Sequence, residues 1–256
     1  MNAIFRISYI AIRELIYEKV FYLFFSFALA ALLISLLLGQ LTYAEQTKLT
    51  LDFMLAGTQL SMVLFAIFMG ISLFQKEIQH GSIAMVLSKP ILRSSFVMGK
   101  YFGQFVVQSL VTLAMTAITL AVVLRFQTPI SKTAIIQCSL LTTFEIGVIA
   151  SVTYLFAVNT GAVTSAIGSF AFFLIGYFID PFSTTVPKSD TLRFAVWEVM
   201  KSAIPNLQMF NIKSLASYGI SIPWAEIGIA GLYAGTCITM YLTLAILTFS
   251  RKDLFT

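Results

Sequence analysis

The chain has 256 residues, of which 59% are hydrophobic and 11% are charged, and its formal net charge is +5 at pH 7. Soluble domains carry about 45–50% apolar and about 25% charged residues. A soluble fold of this length would therefore lack the polar residues needed to cover its surface. The basic residues are spread between apolar runs and form no basic, aromatic-rich stretch, which argues against a nucleic-acid partner. We expect a single membrane domain over residues 1–256, with the lipid bilayer as its surroundings.

Six apolar runs are long enough to cross a bilayer. A spanning helix needs about 20 apolar residues. In lipid, backbone polar groups must be satisfied within the protein, which favours helices. The predicted fold class is therefore an all-α membrane protein with six transmembrane helices. The predicted spans cover residues 20–38, 53–74, 102–124, 134–158, 162–179 and 227–249.

The segment before the first run, residues 1–19, has its own pattern. Phe5, Tyr9, Ile12 and Ile16 repeat at helical spacing, and the charged residues lie elsewhere. Such a helix can lie in the headgroup plane with its apolar side toward the lipid. The alternative is a plain continuation of the first span.

Lysine and arginine in the short loops indicate the orientation. Cytoplasmic loops carry an excess of these residues, and long outer loops weigh little in that rule. We therefore leave the long segment, residues 181–226, out of the count of Lys and Arg. The short loops then carry more basic residues on one side, which predicts that both termini are cytoplasmic. The cytoplasmic set is then Arg6, Arg13, Lys19, Lys76, Lys89, Arg93, Lys100, Arg251 and Lys252, against Lys48, Arg125 and Lys132 in the short outer loops.

The loop between the second and third spans, residues 75–100, combines charge, glycine and proline. Ile83, Val86 and Leu87 fall at i, i+3 and i+4 and form a small apolar face. Ser82 can cap that turn, and Pro90 ends it because proline disfavours helix in the residue before it. We expect a short amphipathic helix under the membrane. The alternative is an ordinary solvated loop with topogenic lysines.

The same loop carries a family resemblance. The order Glu77, Gly81-Ser82, Leu87, Pro90, Arg93 and Gly99-Lys100 resembles the cytoplasmic loop of ABC type 2 transporter permeases. IAIRELIYEKVFY resembles the family's interfacial elbow helix, and LTFSRKDLF its basic C-terminal end. PNLQMFNIKSLASYG is similar to the branch associated with multicopper-enzyme maturation, including the permease that serves nitrous oxide reductase.

The resemblance implies that this chain is the membrane subunit and that a separate chain is the ATPase. In this family the loop is the coupling helix that docks into the ATPase, which makes Glu77, Gly81, Ser82, Leu87, Pro90 and Arg93 the expected ATPase-coupling residues. It further implies a permease subunit of an ATP-driven exporter in the bacterial inner or plasma membrane. A homodimer would work with two ATPase subunits, which would carry ATP and Mg²⁺.

Two other function classes follow from the same residues. One is a membrane subunit that transmits force to an extracytoplasmic partner protein, as in metalloenzyme maturation, without bulk solute transport. The other is an intramembrane enzyme, which the sequence disfavours because no nucleophile–base pair can be assembled at membrane depth. The chain has no GxxxxGK[ST] motif, and its single histidine, His80, excludes a His-containing metal cluster. We therefore expect no cofactor or metal and no enzymatic activity in this chain.

Two intramembrane features stand out. Glu145 lies near the centre of the fourth span, where an acid costs about 2.5–3.5 kcal/mol on insertion scales. It could be bonded in protonated form to a neighbouring Ser or Thr, contact cargo in a hydrated cleft, or help the helix change position. Gly231 and Gly235 form a small-residue motif in the last span. They could pack helices within one subunit or between two.

The outer segment, residues 181–226, is too short for a separate domain. Leu192, Val196, Val199 and Ala203 share one helical face, and Pro205 and Pro223 punctuate the rest. We expect a helix that rests on the outer leaflet. It could cover a transport path, dock an external partner, or merely connect two spans.

Overall fold

The computed structural model describes residues 2–40, 46–79, 93–125, 131–183 and 204–251. These residues form α-helices and one short 3-10 helix, Leu207–Phe210, and contain no strand. The all-α prediction is confirmed. The helices are α1 Asn2–Tyr17, α2 Lys19–Gln40, α3 Gln46–Gln79, α4 Arg93–Arg125, α5 Lys132–Asn159, α6 Ala162–Ser183, α7 Lys213–Ser217 and α8 Trp224–Arg251.

Each predicted apolar run lies inside one of these helices. Five of them, α3, α4, α5, α6 and α8, are long and apolar enough to cross a membrane on their own. Helices α1 and α2 meet at an angle of 61° and supply a sixth span if the bent pair is counted as one. The chain is therefore a multi-pass membrane protein, and the sixth span stays a prediction.

Helix α5 is the central element of the bundle. It packs against α3, α4, α6 and α8, and its middle is buried on every side. Small residues allow this close approach. A Cβ at Gly147 would lie only 2.9 Å from Cε2 of Phe105 on α4. A side chain at the middle of α5 is thus enclosed by protein.

An aromatic cluster closes the bundle at the end where α3 ends and α4 begins, here called the α3–α4 end. The ring centroid of Phe74 lies 4.8 Å from that of Tyr154, 5.9 Å from Phe96 and 6.3 Å from Phe249. These four rings come from α3, α5, α4 and α8. Edge-on aromatic pairs add about 0.5–1.5 kcal/mol each beyond area burial. The cluster therefore joins the ends of four helices in one packed unit.

Helix α1 packs on the first turns of α4 through two glycines. A Cβ at Gly99 would lie 2.7 Å from Ile7, and one at Gly103 would lie 2.7 Å from the Ser8 carbonyl oxygen. The Ser8 hydroxyl donates to the Gly99 carbonyl oxygen at 2.9 Å. Side chains at these positions would force the helices apart, so the glycines fix α1 to α4.

The helices extend beyond the apolar runs that predicted them. Residues 75–79 and 93–100 of the predicted cytoplasmic loop are helical, and residues 80–92 lie outside the described residues. The Gln75 side chain donates to the carbonyl oxygens of Ala157 and Thr160 at 3.3 and 2.9 Å. This contact ties the last turns of α3 to the C-terminus of α5. The hydropathy pattern could not have predicted this contact.

Candidate functional site: a buried carboxyl beneath the docked segment

Glu145 lies at the middle of α5, with 1% of its surface exposed. Apart from Lys132 at its start, the helix carries no other charged residue up to its end at Asn159. A buried carboxyl without polar partners would be costly. Its partners therefore decide what the site can do.

The first partner is Gln59 of α3. Its amide nitrogen, Nε2, lies 2.7 Å from Oε1 and 2.6 Å from Oε2 of Glu145. Gln59 is itself buried. Because the amide has only two hydrogens to give, both carboxyl oxygens draw on one donor group, which fixes the carboxyl in place between α3 and α5.

The second partner is Tyr177 of α6. Its hydroxyl donates a hydrogen bond to Glu145 and also lies within hydrogen-bonding distance of the Gln59 amide, whose two hydrogens are shared among three acceptors. One acid, one amide and one phenol from α5, α3 and α6 thus form a single buried polar cluster. These three residues are here called the polar triad.

A cation lies over the triad. Lys213, the first residue of α7, places Nζ 5.7 Å from the ring centroid of Tyr177 and interacts electrostatically with Glu145. Burial lowers the pKa of Lys213, and the neighbouring Glu145 and Cys138 oppose that effect. Of the two charged residues in the described part of the outer segment, Lys213 is partly buried and Glu226 is exposed.

Residues 204–223, here called the docked segment, hold Lys213 in that place. The segment comprises the 3-10 helix, α7 and the turns around them, and it packs against α3, α5 and α6. Its buried apolar side chains are Leu207, Phe210, Ile212 and Ala216. The segment is thus packed into the bundle. The helix predicted to rest on the outer leaflet, which carries Leu192 to Ala203, lies outside the described residues and stays a prediction.

Shape complementarity fixes the docked segment at one glycine. A Cβ at Gly176 of α6 would lie 2.8 Å from Cγ of Leu207 and 3.1 Å from the Pro205 carbonyl oxygen.

A second glycine, Gly219, ends α7 and adopts φ 74°. Its N–H bonds the Ala216 carbonyl at 3.0 Å, and the Ile220 N–H bonds the Leu215 carbonyl at 2.9 Å. This paired pattern ends α7 and needs a left-handed residue, which glycine supplies without strain.

Polar contacts anchor both ends of the docked segment. The Gln137 amide of α5 donates to the Ile222 carbonyl oxygen at 2.8 Å, and the Ile222 N–H donates to Gln137 Oε1 at 3.1 Å. Near the other end, the Asn206 N–H donates to the Tyr233 hydroxyl of α8 at 2.9 Å. The segment is therefore bonded to α5 and α8 as well as packed on them.

The comparison with protein families gives a match over nearly the whole sequence. Residues 11–254 match the family described as ABC-2 family transporter protein. The chain belongs to the ABC-2 transporter family. No curated protein matches it significantly. Family membership makes the chain a membrane subunit of a transport system and not an enzyme, and ABC systems generally include an ATPase partner. The finer resemblance to the nitrous oxide reductase branch is not addressed by this match.

Only some of the predicted coupling residues of this ABC-2 chain lie in the described part of the structure. Arg93 is the first residue of α4, and its Nη1 donates to the carbonyl oxygens of Phe249 and Ser250, each at 3.0 Å. A cation at a helix C-terminus satisfies free carbonyls and complements the helix dipole. Glu77 lies in the last turn of α3, and its side chain is outside the described part. Gly81, Ser82, Leu87 and Pro90 are also outside the described residues.

The two glycines of the last span differ in their surroundings. A Cβ at Gly231 would lie 3.2 Å from the Phe144 ring of α5, whereas Gly235 has nothing within 4 Å. Gly231 thus packs inside the ABC-2 protomer. The role of Gly235 between protomers stays a prediction.

Neither cysteine clusters with other metal-binding side chains. Among the described residues, no group of three or more His, Cys, Asp or Glu side chains could hold a metal ion. The methionines of α3, Met54, Met62 and Met69, are fully buried. Their burial fits a role in packing.

Three features of the site escaped sequence reasoning. The partners of Glu145 are an amide and a phenol, whereas the bonded alternative among the three considered from the sequence named Ser or Thr hydroxyls. Lys213 is one of several basic residues in a long loop, and nothing in its local sequence marks it. Gly99 and Gly103 lie at i and i+4, a spacing of small residues that could have predicted the close packing of α1 on α4.

Proposed function

We propose that this chain is the permease subunit of an ATP-driven ABC exporter, and that ATP is hydrolysed on a separate subunit. The match to the ABC-2 family over residues 11–254 carries this proposal. The working complex would contain two copies of this chain and two ATPases. Six spans per copy, cytoplasmic termini and a bacterial inner membrane location belong to the same proposal.

The contacts at the α3–α4 end support a mechanical connection to an ATPase. A coupling helix within residues 80–92 would join α3 directly to α4. Arg93, the next residue, bonds the end of α8, and Gly99 packs against α1. A displacement of this loop would therefore reach α3, α4, α8 and α1 through direct contacts.

The burial pattern of the N-terminal helix α1 supports its proposed position at the membrane interface. The buried face of α1, which packs on α4, carries Ile7, Ala11 and Leu15. Other apolar residues of α1 are exposed, among them Phe5 and Tyr17, at 69% and 74%. Together with the 61° bend at α2, this pattern suits a helix that lies along the membrane surface.

The polar triad would transmit the helix movement to the docked segment at the outer end of the bundle. Tilting of α3 or α6 against α5 would change the bonds of Glu145 to Gln59 and Tyr177, and with them the seat of Lys213. We propose that this change releases the docked segment from the outer end of the bundle. The outer end of the transport path would then open while the ATPase drives the inner end.

The second candidate is force transmission to an extracytoplasmic protein, and the surface of the docked segment favours it. Met209, Tyr218 and Ile220 of this segment are exposed, at 42%, 61% and 53%, so a protein partner could bind apolar groups there. Metalloenzyme maturation of the kind served by the nitrous oxide reductase permease is the specific form of this candidate. The same movement of the docked segment would then act on the partner.

Vesicles test the proposal and separate the two candidates. The chain and its ATPase would be reconstituted into sealed vesicles, and ATP hydrolysis and solute content would be followed together. Export requires solute movement that stops with an ATPase-dead partner. Hydrolysis that is stimulated by an outer protein, without movement of any solute, would support force transmission. Hydrolysis that does not respond to this chain would contradict both.

A further inference from the structure

Lys213 of the docked segment presents its ammonium group to the polar triad as a ligand would. Its Nζ atom lies 5.7 Å from the ring centroid of Tyr177, within the range in which an aromatic face attracts a cation. The same ammonium interacts electrostatically with the carboxyl of Glu145. A carboxyl beside an aromatic face attracts an ammonium both by its charge and by the quadrupole of the ring. The triad therefore already receives a cation, which α7 supplies.

The polar triad has fewer hydrogen-bond donors than acceptors. The Gln59 amide has two hydrogens, which the two Glu145 oxygens and the Tyr177 hydroxyl share, and the phenol has one hydrogen. A carboxylate alone can accept about four hydrogen bonds, and the phenol oxygen accepts as well. The hydrogens of the triad thus cannot fill its acceptor positions. An ammonium group, which has only donors, meets this need, whereas a bare metal ion has no hydrogen to give.

The backbone attachment of Lys213 keeps its ammonium from using the whole site. Its interaction with Glu145 is Coulombic, whereas Gln59 and Tyr177 both hydrogen-bond to the carboxyl. Lys213 is the first residue of α7, and the packing of the docked segment on α3, α5 and α6 fixes the position of that helix. A free ammonium is not held in this way. It can approach the carboxyl to hydrogen-bonding distance and would therefore compete with the lysine.

The burial of Glu145 makes this competition depend on charge. The residue is 1% exposed, so water does not compensate its charge when a neighbouring cation leaves. Removing one partner of a buried charge pair is costly because the other charge is left uncompensated. Lys213 can therefore leave the triad at low cost only when another cation takes its position. A cationic ligand would release the docked segment, and a neutral or anionic one would not.

We propose that the polar triad is a binding site for an ammonium group, which Lys213 occupies in this structure and an amine-bearing cargo takes over during transport. Lys213 holds the outer segment docked until the cargo displaces it. The assignment of the ligand as cargo rests on the proposed export function, whereas the site itself follows from the contacts of Lys213, Glu145 and Tyr177. The substrate class is a molecule that carries a compact, hydrogen-bonding cation.

The probe n-propylammonium tests the site in the purified full-length chain in nanodiscs, without ATPase or ATP. The chain carries Ser217→Cys in a background without Cys138 and Cys237, and the rate of its labelling by a thiol reagent reports release of the docked segment. With Lys213 in place, the amine should raise this rate several-fold and saturably, because it displaces the lysine. NaCl and 1-propanol at equal concentrations are the controls and should leave the rate unchanged.

Variants locate the amine at the triad. Lys213→Ala leaves room for the probe beneath the docked segment, so the amine should lower the labelling rate there, opposite to its effect when the lysine is present. Adding Glu145→Gln to Lys213→Ala should abolish this response, and Lys213→Met, whose neutral side chain fills the position, should show none.

Two results would overturn the proposal. One is no rise of the labelling rate in the chain that keeps Lys213, and the other is a change of the same sign with and without the lysine. If Lys213→Ala does not fold, Glu145→Gln alone decides, since the amine should then no longer raise the rate. Because neither ATP nor the ATPase is present, failure of this test removes the ammonium site and leaves the proposed export function standing.

Discussion

Gln59 of α3 holds the carboxyl group of Glu145 on α5 with one amide nitrogen, at 2.6 and 2.7 Å from its two oxygens. The two residues are 86 positions apart in the sequence and both are buried. They connect α3 to the central helix α5 through a bond that lipid cannot replace. Movement of α3 against α5 must break or remake this bond, so both residues are sensitive to how the bundle moves.

The first prediction concerns this pair. Glu145→Leu should lower the free energy of unfolding by about 1–3 kcal/mol, because the Gln59 amide and the Tyr177 hydroxyl then lose a buried partner. Glu145→Gln keeps the shape and one polar oxygen, so it should assemble at near wild-type yield. We expect it to lose ATPase-coupled function about tenfold, since its amide cannot attract Lys213. Complex yield and coupled ATPase activity measure the two effects.

A double-mutant cycle provides the control. Gln59→Leu alone leaves the buried carboxyl without its amide donor, whereas the Gln59→Leu, Glu145→Leu double variant removes both partners of this bond. The double variant should lose less stability than the sum of the two single losses. Additive losses would show that the two residues do not act as a pair. Wild-type stability of Glu145→Leu would remove this residue from the site.

The second prediction concerns the docked segment. Ser217 of α7 is buried, so a cysteine placed there, in a background without Cys138 and Cys237, should react slowly with a membrane-impermeant thiol reagent. Lys213→Met keeps the length of the stem and removes the charge that attracts Glu145. It should raise the labelling rate several-fold, where a factor of ten corresponds to about 1.4 kcal/mol. Lys132→Met, at an exposed position at the start of α5, should leave the rate unchanged. If both variants label alike, the lysine does not hold the segment.

The third prediction concerns the ion pair between α1 and α4. Lys100 Nζ lies 2.7 Å from Glu14 Oε2, and the side chain of Lys100 is 2% exposed against 26% for Glu14. Glu14→Gln removes the carboxylate that pairs with this buried cation, a change that costs about 3–5 kcal/mol for fully buried pairs and less here because Glu14 is partly exposed and Lys100 has further contacts. Lys100→Met leaves only a carboxylate that water can reach. Chemical unfolding should therefore show a larger loss for Glu14→Gln, and the opposite order would contradict this account of the pair.

The sequence predicted the membrane part of the fold well, because the bilayer imposes it. A run such as 134–158 can only be a buried helix in lipid, and α5 encloses that run. The hydrophobic pattern of the sequence could not predict the parts of the structure that depend on contacts between distant segments. The docking of Leu207 against Gly176 depends on two surfaces that meet only in the folded chain. The hydrophobic pattern therefore gave no indication that residues 204–223 pack into the bundle, as the burial of their apolar side chains shows.

The candidate site was predictable only in part. An acid in an apolar helix is visible as an anomaly, and Glu145 was identified on that ground. Its partners could not be found the same way, because Gln59, Tyr177 and Lys213 lie on three other elements and none is unusual in its own sequence. Lys100 shows the converse. It was counted as a solvated topology signal, but its side chain is buried against Glu14.

The fourth prediction tests the orientation. Single cysteines at Ser88 and Ser189, in the background without Cys138 and Cys237, should label from opposite sides of the membrane. Ser88 should react only in inverted vesicles and Ser189 only in intact cells. Labelling of both from the outside would overturn the cytoplasmic N-terminus, and with it the cytoplasmic coupling loop.

The central claim is that an ATPase binds this chain through the loop between α3 and α4, and co-purification of the partner ATPase tests it most directly. Leu87→Asp places a charge on the predicted apolar face of the loop, and Ser88→Asp places the same charge beside that face. Both variants should insert into the membrane at wild-type levels. The account predicts that Leu87→Asp loses the ATPase almost completely while Ser88→Asp retains it. Wild-type recovery of the ATPase with Leu87→Asp would contradict the account.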